Sequence, residues 1–146
     1  MSATANEKKL KAILGECLGG KVSFGKKIKD EPYISVDFTY KDSNDILYLI
    51  EVESENKAKI DVGEYVLLNL LFDQPNEDNG SSEILSDLKI EQCCFLTILC
   101  HAKNTPQRVS KVLEAVKQKF SLKLKHKSIK MSDIKDSDSF IKLIQI

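Results

Sequence analysis

Hydrophobic and polar positions alternate with different periods along the chain, and the periods predict the elements. Leu10, Ile13, Leu14, Cys17 and Leu18 fall at i, i+3, i+4, i+7 and i+8, the spacing of one helical face. Gly19-Gly20 supplies the stop, since glycine tolerates the left-handed conformation that ends helices. A short strand is expected over residues 21–24, followed by a basic turn at Gly25-Lys26-Lys27. Ile34, Val36 and Phe38 then alternate with Ser35, Asp37 and Thr39, the period of a half-buried strand. The polar cluster Lys41-Asp42-Ser43-Asn44-Asp45 predicts a turn, and Ile46-Leu47-Tyr48-Leu49-Ile50-Glu51-Val52-Glu53 predicts the returning strand of a hairpin.

Beyond a loop at 54–57 the pattern turns helical over 58–72, with Ile60, Tyr65, Leu67, Leu68 and Leu71 on more than one face. Such a helix is buried or pairs with another subunit. Residues 73–82, Asp-Gln-Pro-Asn-Glu-Asp-Asn-Gly-Ser-Ser, are too polar to build a core and predict a mobile loop. Cys93-Cys94-Phe95-Leu96-Thr97-Ile98-Leu99-Cys100 is apolar on both alternating faces, as a central strand covered on both sides requires. Thr105-Pro106 predicts a helix start, with Thr105 as N-cap and Pro106 at the first helical position. Val109, Val112, Leu113, Val116 and Phe120 are its expected buried stripe. Leu122 and Leu124 alternate with Lys123 and Lys125 and suggest a further strand; Phe140-Ile141-Lys142-Leu143-Ile144 fits either a short strand or a helix. The order predicts one α/β domain over residues 1–146, a mixed β-sheet flanked by helices. Its core is expected over about 7–120, with a basic extension at 121–146.

Composition narrows the function classes. The chain has 146 residues, and no apolar run approaches the roughly 18 needed to span a bilayer. Its amino terminus, Met1-Ser2-Ala3-Thr4-Ala5-Asn6-Glu7, lacks the basic and apolar stretches of a secretory signal. Cys17, Cys93, Cys94 and Cys100 form no C-x-x-C pair, so free thiols in a reducing cytoplasm are the expectation. The net charge of zero hides an asymmetry: from His101 onward eleven basic residues face four acidic ones, and residues 1–100 carry the opposite imbalance. A dipolar molecule of this kind can offer a basic face to a polyanion. Only Arg108 among the 22 basic residues is an arginine, which disfavours base-edge reading through bidentate guanidinium groups.

The strand that ends in Glu51-Val52-Glu53 carries the candidate chemistry. Side chains two apart on a strand share a face, and a hairpin centred on 41–45 brings Asp37 alongside. Three carboxylates in a small space repel one another, and a divalent cation relieves the repulsion. Mg²⁺ in particular takes a few carboxylates and leaves its other positions to water and phosphate oxygens. The alternative is an ordinary acidic strand end facing solvent.

This arrangement resembles the PD-(D/E)XK nuclease superfamily, whose restriction-endonuclease-like core runs helix, three-strand meander, helix, strand (αβββαβ). The resemblance covers roughly residues 7–100. The family's first acid matches Asp37 in Ile34-Ser35-Val36-Asp37-Phe38, and its second matches Glu51 in Leu49-Ile50-Glu51-Val52-Glu53. The following helix matches Ile60-Asp61-Val62-Gly63-Glu64-Tyr65-Val66-Leu67-Leu68. Two departures stand out: Pro32 lies five residues before Asp37, and Glu53 replaces the motif lysine. The resemblance implies that Asp37, Glu51 and Glu53 hold Mg²⁺ or Mn²⁺ and that Lys57 or Lys59 supplies the displaced ammonium. It also implies phosphodiester hydrolysis in DNA, or in RNA, with specificity from structure or a partner. Lys123, Lys125 and Lys127 are the expected backbone contacts, against the simpler reading of a solvated face. The alternative function is a non-catalytic interaction module on the same scaffold, dimerising or docking a protein partner through the 60–72 helix.

Zinc is disfavoured, because strand alternation sends Cys93 and Cys94 to opposite faces, whereas structural zinc wants close ligand pairs. His101 is expected to hydrogen-bond locally, and His126, set among lysines, to be solvated or to touch phosphate. No nucleophile elbow, phosphate loop or dinucleotide fingerprint is present.

Overall fold

The computed structural model describes residues 3–15, 21–29, 34–72 and 89–145; the expectations for Cys17, Leu18, Gly19-Gly20, Pro32 and 73–82 lie outside them. Helix α1 (Ala3–Gly15) leads into strands β1 (Lys21–Lys29), β2 (Ile34–Lys41) and β3 (Leu47–Glu53). Helix α2 (Ala58–Phe72), β4 (Cys93–Leu99), α3 (Pro106–Lys119), β5 (Lys125–Lys130) and α4 (Ser137–Ile144) follow. The five strands lie in the order β1-β2-β3-β4-β5. The first three form an antiparallel meander, and β4 and β5 continue parallel to β3. This is a single α/β domain with a mixed sheet flanked by helices. Among the described residues no helix is long and apolar enough to cross a membrane.

Local chemistry sets several boundaries. The Asp42 carboxylate accepts from the N–H groups of Asn44 and Ile46, both at 2.9 Å, and Asp45 takes a φ of 63° to close the β2–β3 turn. Thr105 Oγ1 accepts from Arg108 N at 3.3 Å and Pro106 opens α3. At its far end Ser121 adopts a φ of 53°, and Leu122 N donates to Lys117 O at 2.9 Å, the wrapped carboxy-terminal turn usually made by glycine. Asp136 caps α4, accepting from Ser139 N at 2.8 Å, which settles the tail as a helix.

Two cores sandwich the sheet. Leu10 and Ile13 of α1 and Phe140 and Ile144 of α4 pack on Tyr48, Ile50, Cys94, Leu96 and Ile129. Tyr65 and Leu68 of α2 and Val109 and Leu113 of α3 pack on Leu47, Leu49, Cys93 and Phe95 of the other face. Cys93 and Cys94 thus face opposite cores, and burial pushes both thiols up to about 12. They are packing residues.

Five expectations are corrected. Strand β1 runs through Gly25-Lys26-Lys27 to Lys29 instead of turning there, because Lys26 and Lys27 pair with Val36 and Ser35. Strand β5 begins at Lys125, after Leu122 and Leu124 have crossed from α3. The stripe of α3 is narrower than its apolar positions suggest: Val109 and Leu113 are buried, while Phe120, the C-cap, is 66% exposed. His126 is neither solvated nor poised for phosphate. Its side chain is 8% exposed, its Nε2 lies 2.9 Å from Glu114 Oε1, and its ring meets Tyr65 edge-on at 5.5 Å. Residues 121–146, expected as a basic extension, supply β5, Ile129, Met131, Ile134, Phe140 and Ile144 to the fold.

Leu124 precedes the ladder, so its backbone needs other partners. The Tyr65 hydroxyl donates to Leu124 O, and Asn69 Oδ1 accepts from Leu124 N at 3.0 Å while its Nδ2 donates to Tyr65 O at 2.9 Å. All three residues are buried. Tyr65→Phe would leave a buried carbonyl without its donor and is expected to cost about 1–3 kcal/mol, read as a lower urea midpoint at unchanged slope. An unchanged midpoint would mean that the clamp contributes nothing.

Candidate functional site

The carboxyl cluster lies where β2 and β3 part. They pair from Lys41–Leu47 to Phe38–Ile50. One residue further on, the Asp37 carboxylate replaces a backbone acceptor, and Val52 N donates to its Oδ2 at 2.8 Å. Val36 packs in the α2-side core, whereas Phe38 and Tyr40 pack in the other, so β2 turns over at Asp37. Strand β3 meanwhile stays paired with β4 as far as Glu53–Leu99, and Cys100 N donates to Glu53 O at 2.9 Å.

Glu51 meets Asp37 at this fork. Burial above all, then the charges of Glu64 and Asp37, a hydrogen bond to Asp37 and the charge of Glu53, push its carboxyl up to about 10. Phe38 pairs with Ile50, so Asp37 and Glu51 are the next positions out on the two strands at this fork. Glu53 is buried, and its Oε1 accepts from Glu55 N at 2.8 Å. Burial raises its pKa, while that amide and the Lys57 ammonium oppose the rise. Lys57 itself sits exposed with Nζ 3.6 Å from Glu55 Oε2. Lys59 is exposed on the first turn of α2.

Helix α2 brings two acids that strand reasoning does not anticipate. Asp61, Tyr65 and Leu68 fall at i, i+4 and i+7, and all three are buried. Asp61 is 0% exposed, and among the described residues neither of its carboxyl oxygens has a hydrogen-bond partner. Burial and then the charge of Glu53 push it up to about 7. Glu64, one helical turn on, has Oε2 buried without a hydrogen-bond partner among the described residues. Burial, then Asp61, Glu53 and Asp37 push it up to about 8. From α1, Glu7 is raised by burial and by Asp37. Cys100, at the mouth of β4, is pushed up to about 11 by burial, Glu53 and Glu7. The signal for Asp61 was an acid standing inside an otherwise apolar helical stripe.

Such a set of carboxyls is a hard, oxygen-rich environment that cations favour. Among the described residues no group of three or more His, Cys, Asp or Glu side chains is arranged to hold a metal ion. Asp37 is turned onto Val52 N and Glu53 onto Glu55 N, so holding an ion requires rotation of these side chains or use of their second oxygens.

The cluster occupies the carboxyl ends of the parallel strands, where open α/β sheets place their ligands. Helices α2 and α3, which follow β3 and β4, begin at this same end, and helix N-termini favour anions. Lys130 pairs with Leu99 at this end, its Nζ donating to Ala102 O at 2.8 Å. Arg108 donates to Asn56 Oδ1 at 2.8 Å. Lys125, by contrast, pairs with Cys94 at the opposite end of the sheet and donates to Glu91 O, and Lys123 precedes it there. Lys127, in mid-strand, donates to Gln145 O at 2.6 Å. His101 Nδ1 accepts from Lys103 N at 3.1 Å, a local turn contact.

The chain matches no family model, and no curated protein and no solved structure proved similar to it.

Proposed function

We propose that this protein is a metal-dependent nuclease domain of the restriction-endonuclease-like type, acting on phosphodiester bonds in DNA. The observation that carries the reading is the placing of Asp37 and Glu51 one position beyond the Phe38–Ile50 pair where β2 and β3 part, with Val52 N held between the strands by Asp37. The order of helix, three-strand meander, helix and parallel strand supports it, since this is the order of the αβββαβ core. Asp37 and Glu51 hold Mg²⁺ or Mn²⁺, which supplies Lewis-acid activation of water and of the phosphoryl group. Glu53 orients the attacking water or completes the ligand set, and Lys57 or Lys59 offsets charge developing on the phosphate. The backbone of the nucleic acid approaches over the N-termini of α2 and α3, near Arg108 and Lys130, and Lys123, Lys125 and Lys127 can contact only a more distant stretch of it.

The test is plasmid nicking by purified protein with Mn²⁺ or Mg²⁺. Cleavage is expected with metal and not with EDTA, and Asp37→Ala is expected to reduce it at least about 100-fold, the scale of losing an electrostatic element of catalysis. Undiminished nicking by Asp37→Ala would assign the cleavage to a contaminant.

A second reading, a non-catalytic module, draws on the outer face of α2. Leu67 is 43% exposed and Leu70 48% exposed there, an apolar surface through which a second copy or a protein partner can dock. The lysine replaced by Glu53 favours this reading too. Failure of Mn²⁺ to bind in calorimetric titration would leave it standing alone.

A further inference from the structure

We infer that the outer face of α2 pairs antiparallel with the same face of a second copy of this chain, Leu70 seating on the partner's Gly63. The pairing rests on the apolar α2 face of the second reading and commits that face to one occupant. It holds whether or not the carboxyl cluster cleaves DNA.

Gly63 carries the argument. It stands inside α2, at a position where glycine is less favourable than alanine. Its own fold does not ask for a glycine there: a Cβ at this position would meet no atom of the described residues within 4 Å, and the backbone takes no left-handed φ. Lys59, Gly63, Val66 and Leu70 recur at steps of four, three and four, a helical seam opposite the buried stripe of Asp61, Tyr65 and Leu68. Lys59, Gly63, Leu67 and Leu70 are exposed along it, and Val66 is half-buried. One side of α2 already packs in the core, so this apolar seam is surface that association would cover.

The seam is complementary to itself, which points to a second copy. Gly63 is a hole and Leu70 a knob, two helical turns apart. A two-fold axis crossing α2 between Val66 and Leu67 brings the knob of each copy onto the hole of the other. The same axis sets Val66 against the partner's Leu67, an isologous contact of the kind that most homodimers make. Glycine in the hole lets the two backbones approach closely. Charge agrees with this direction. Helix α2 has no basic residue in its last turn and carries Lys59 exposed in its first. Antiparallel pairing brings each Lys59 to the carboxyl end of the other helix, where a cation is favoured. A parallel pair would instead set Lys59 against the partner's Lys59 and hole against hole. Two helices alone bury less than a standard interface, so the expected dissociation constant is micromolar.

Sedimentation equilibrium of the full-length chain in EDTA reads the pairing. Wild type is expected to move from 16.5 kDa towards twice that mass as its concentration rises through the micromolar range. Gly63→Leu fills the hole in both copies and is expected to weaken dimerisation at least about tenfold. Leu70→Ala removes the knob and is expected to weaken it by about tenfold. Gly63→Leu combined with Leu70→Ala exchanges knob and hole, and is expected to recover most of the affinity that Gly63→Leu loses. Circular dichroism establishes that each variant is folded. Leu70→Glu, at an exposed position, serves where Gly63→Leu does not fold, and is expected to be monomeric. A wild type that stays at 16.5 kDa throughout would overturn the inference, leaving the face to a different protein and the nuclease reading untouched. A dimer that Gly63→Leu and Leu70→Glu both leave intact would put the interface elsewhere and overturn it too. So would a double variant that dimerises no more tightly than Gly63→Leu alone.

Discussion

Glu51→Gln is expected to abolish metal-dependent cleavage and, in EDTA at pH 8, to make the protein more stable than wild type. Both effects have one cause. Burial and the neighbouring carboxyls raise the Glu51 carboxyl from an ordinary value of 4.5 to about 10. A group raised in the folded state contributes stability that is fully present below its unfolded value and is lost as pH rises through its folded one. The metal-free wild type should therefore lose stability steadily between about pH 4.5 and pH 10. Glu64, raised to about 8, and Asp61, raised to about 7, steepen the loss in the lower part of that window. Glutamine does not titrate, so it removes the Glu51 share. An advantage of at least about 1 kcal/mol at pH 8 is expected, roughly 2–4 °C in melting temperature for a chain of this size. Saturating Mn²⁺ should reverse the ranking, because the wild type then gains binding energy that the variant lacks. Melting curves at pH 5.5 and pH 8, with EDTA and with Mn²⁺, make the comparison. A variant no more stable than wild type in EDTA at pH 8 would show that Glu51 is solvated and the cluster relaxed.

Separation along the sequence explains which parts of the molecule could be read from the chain. The bounds of α2, the turn at Asp42–Asp45 and the Thr105–Pro106 start of α3 depend on neighbours within four residues, and local periodicity and capping chemistry locate them. Asp37 and Glu51 were legible for the same reason: a hairpin with a short polar turn leaves few registers. Strand β1 passing through Gly25, the late start of β5 and the burial of His126 depend on what lies across the sheet. Those partners are distant in sequence, and His126 among lysines looks like a surface residue until Tyr65 and Glu114 close over it. Asp61 and Glu64 belong to the same class. Each is an unremarkable helix acid until α2 is laid against the end of β3. An acid within a buried helical stripe, at i to Tyr65 at i+4 and Leu68 at i+7, was the readable sign.

Glu53→Lys puts the resemblance and the geometry in direct conflict, and its outcome separates them. The change restores the residue that the nuclease motif ordinarily carries, yet here it places an ammonium among Asp61, Glu64 and Asp37, all of which act on or feel Glu53. A fixed positive charge in that position does what a bound cation does: it favours the ionised carboxyls around it. The fall in stability from pH 5.5 to pH 8 in EDTA should therefore be shallower in the variant than in wild type. The lost hydrogen bond from Glu55 N to the Glu53 carboxylate works against this by about 1 kcal/mol, equally at both pH values, so the slope is the cleaner measurement. Any Mn²⁺ affinity of the cluster should fall at least about tenfold, since a carboxylate is replaced by a charge of the same sign as the ion. Nicking should decline with it if Glu53 works as a ligand. A variant that keeps the wild-type pH slope would place Glu53 outside the cluster's electrostatics, and one that gains cleavage would identify the natural chain as a scaffold whose chemistry was lost with its lysine.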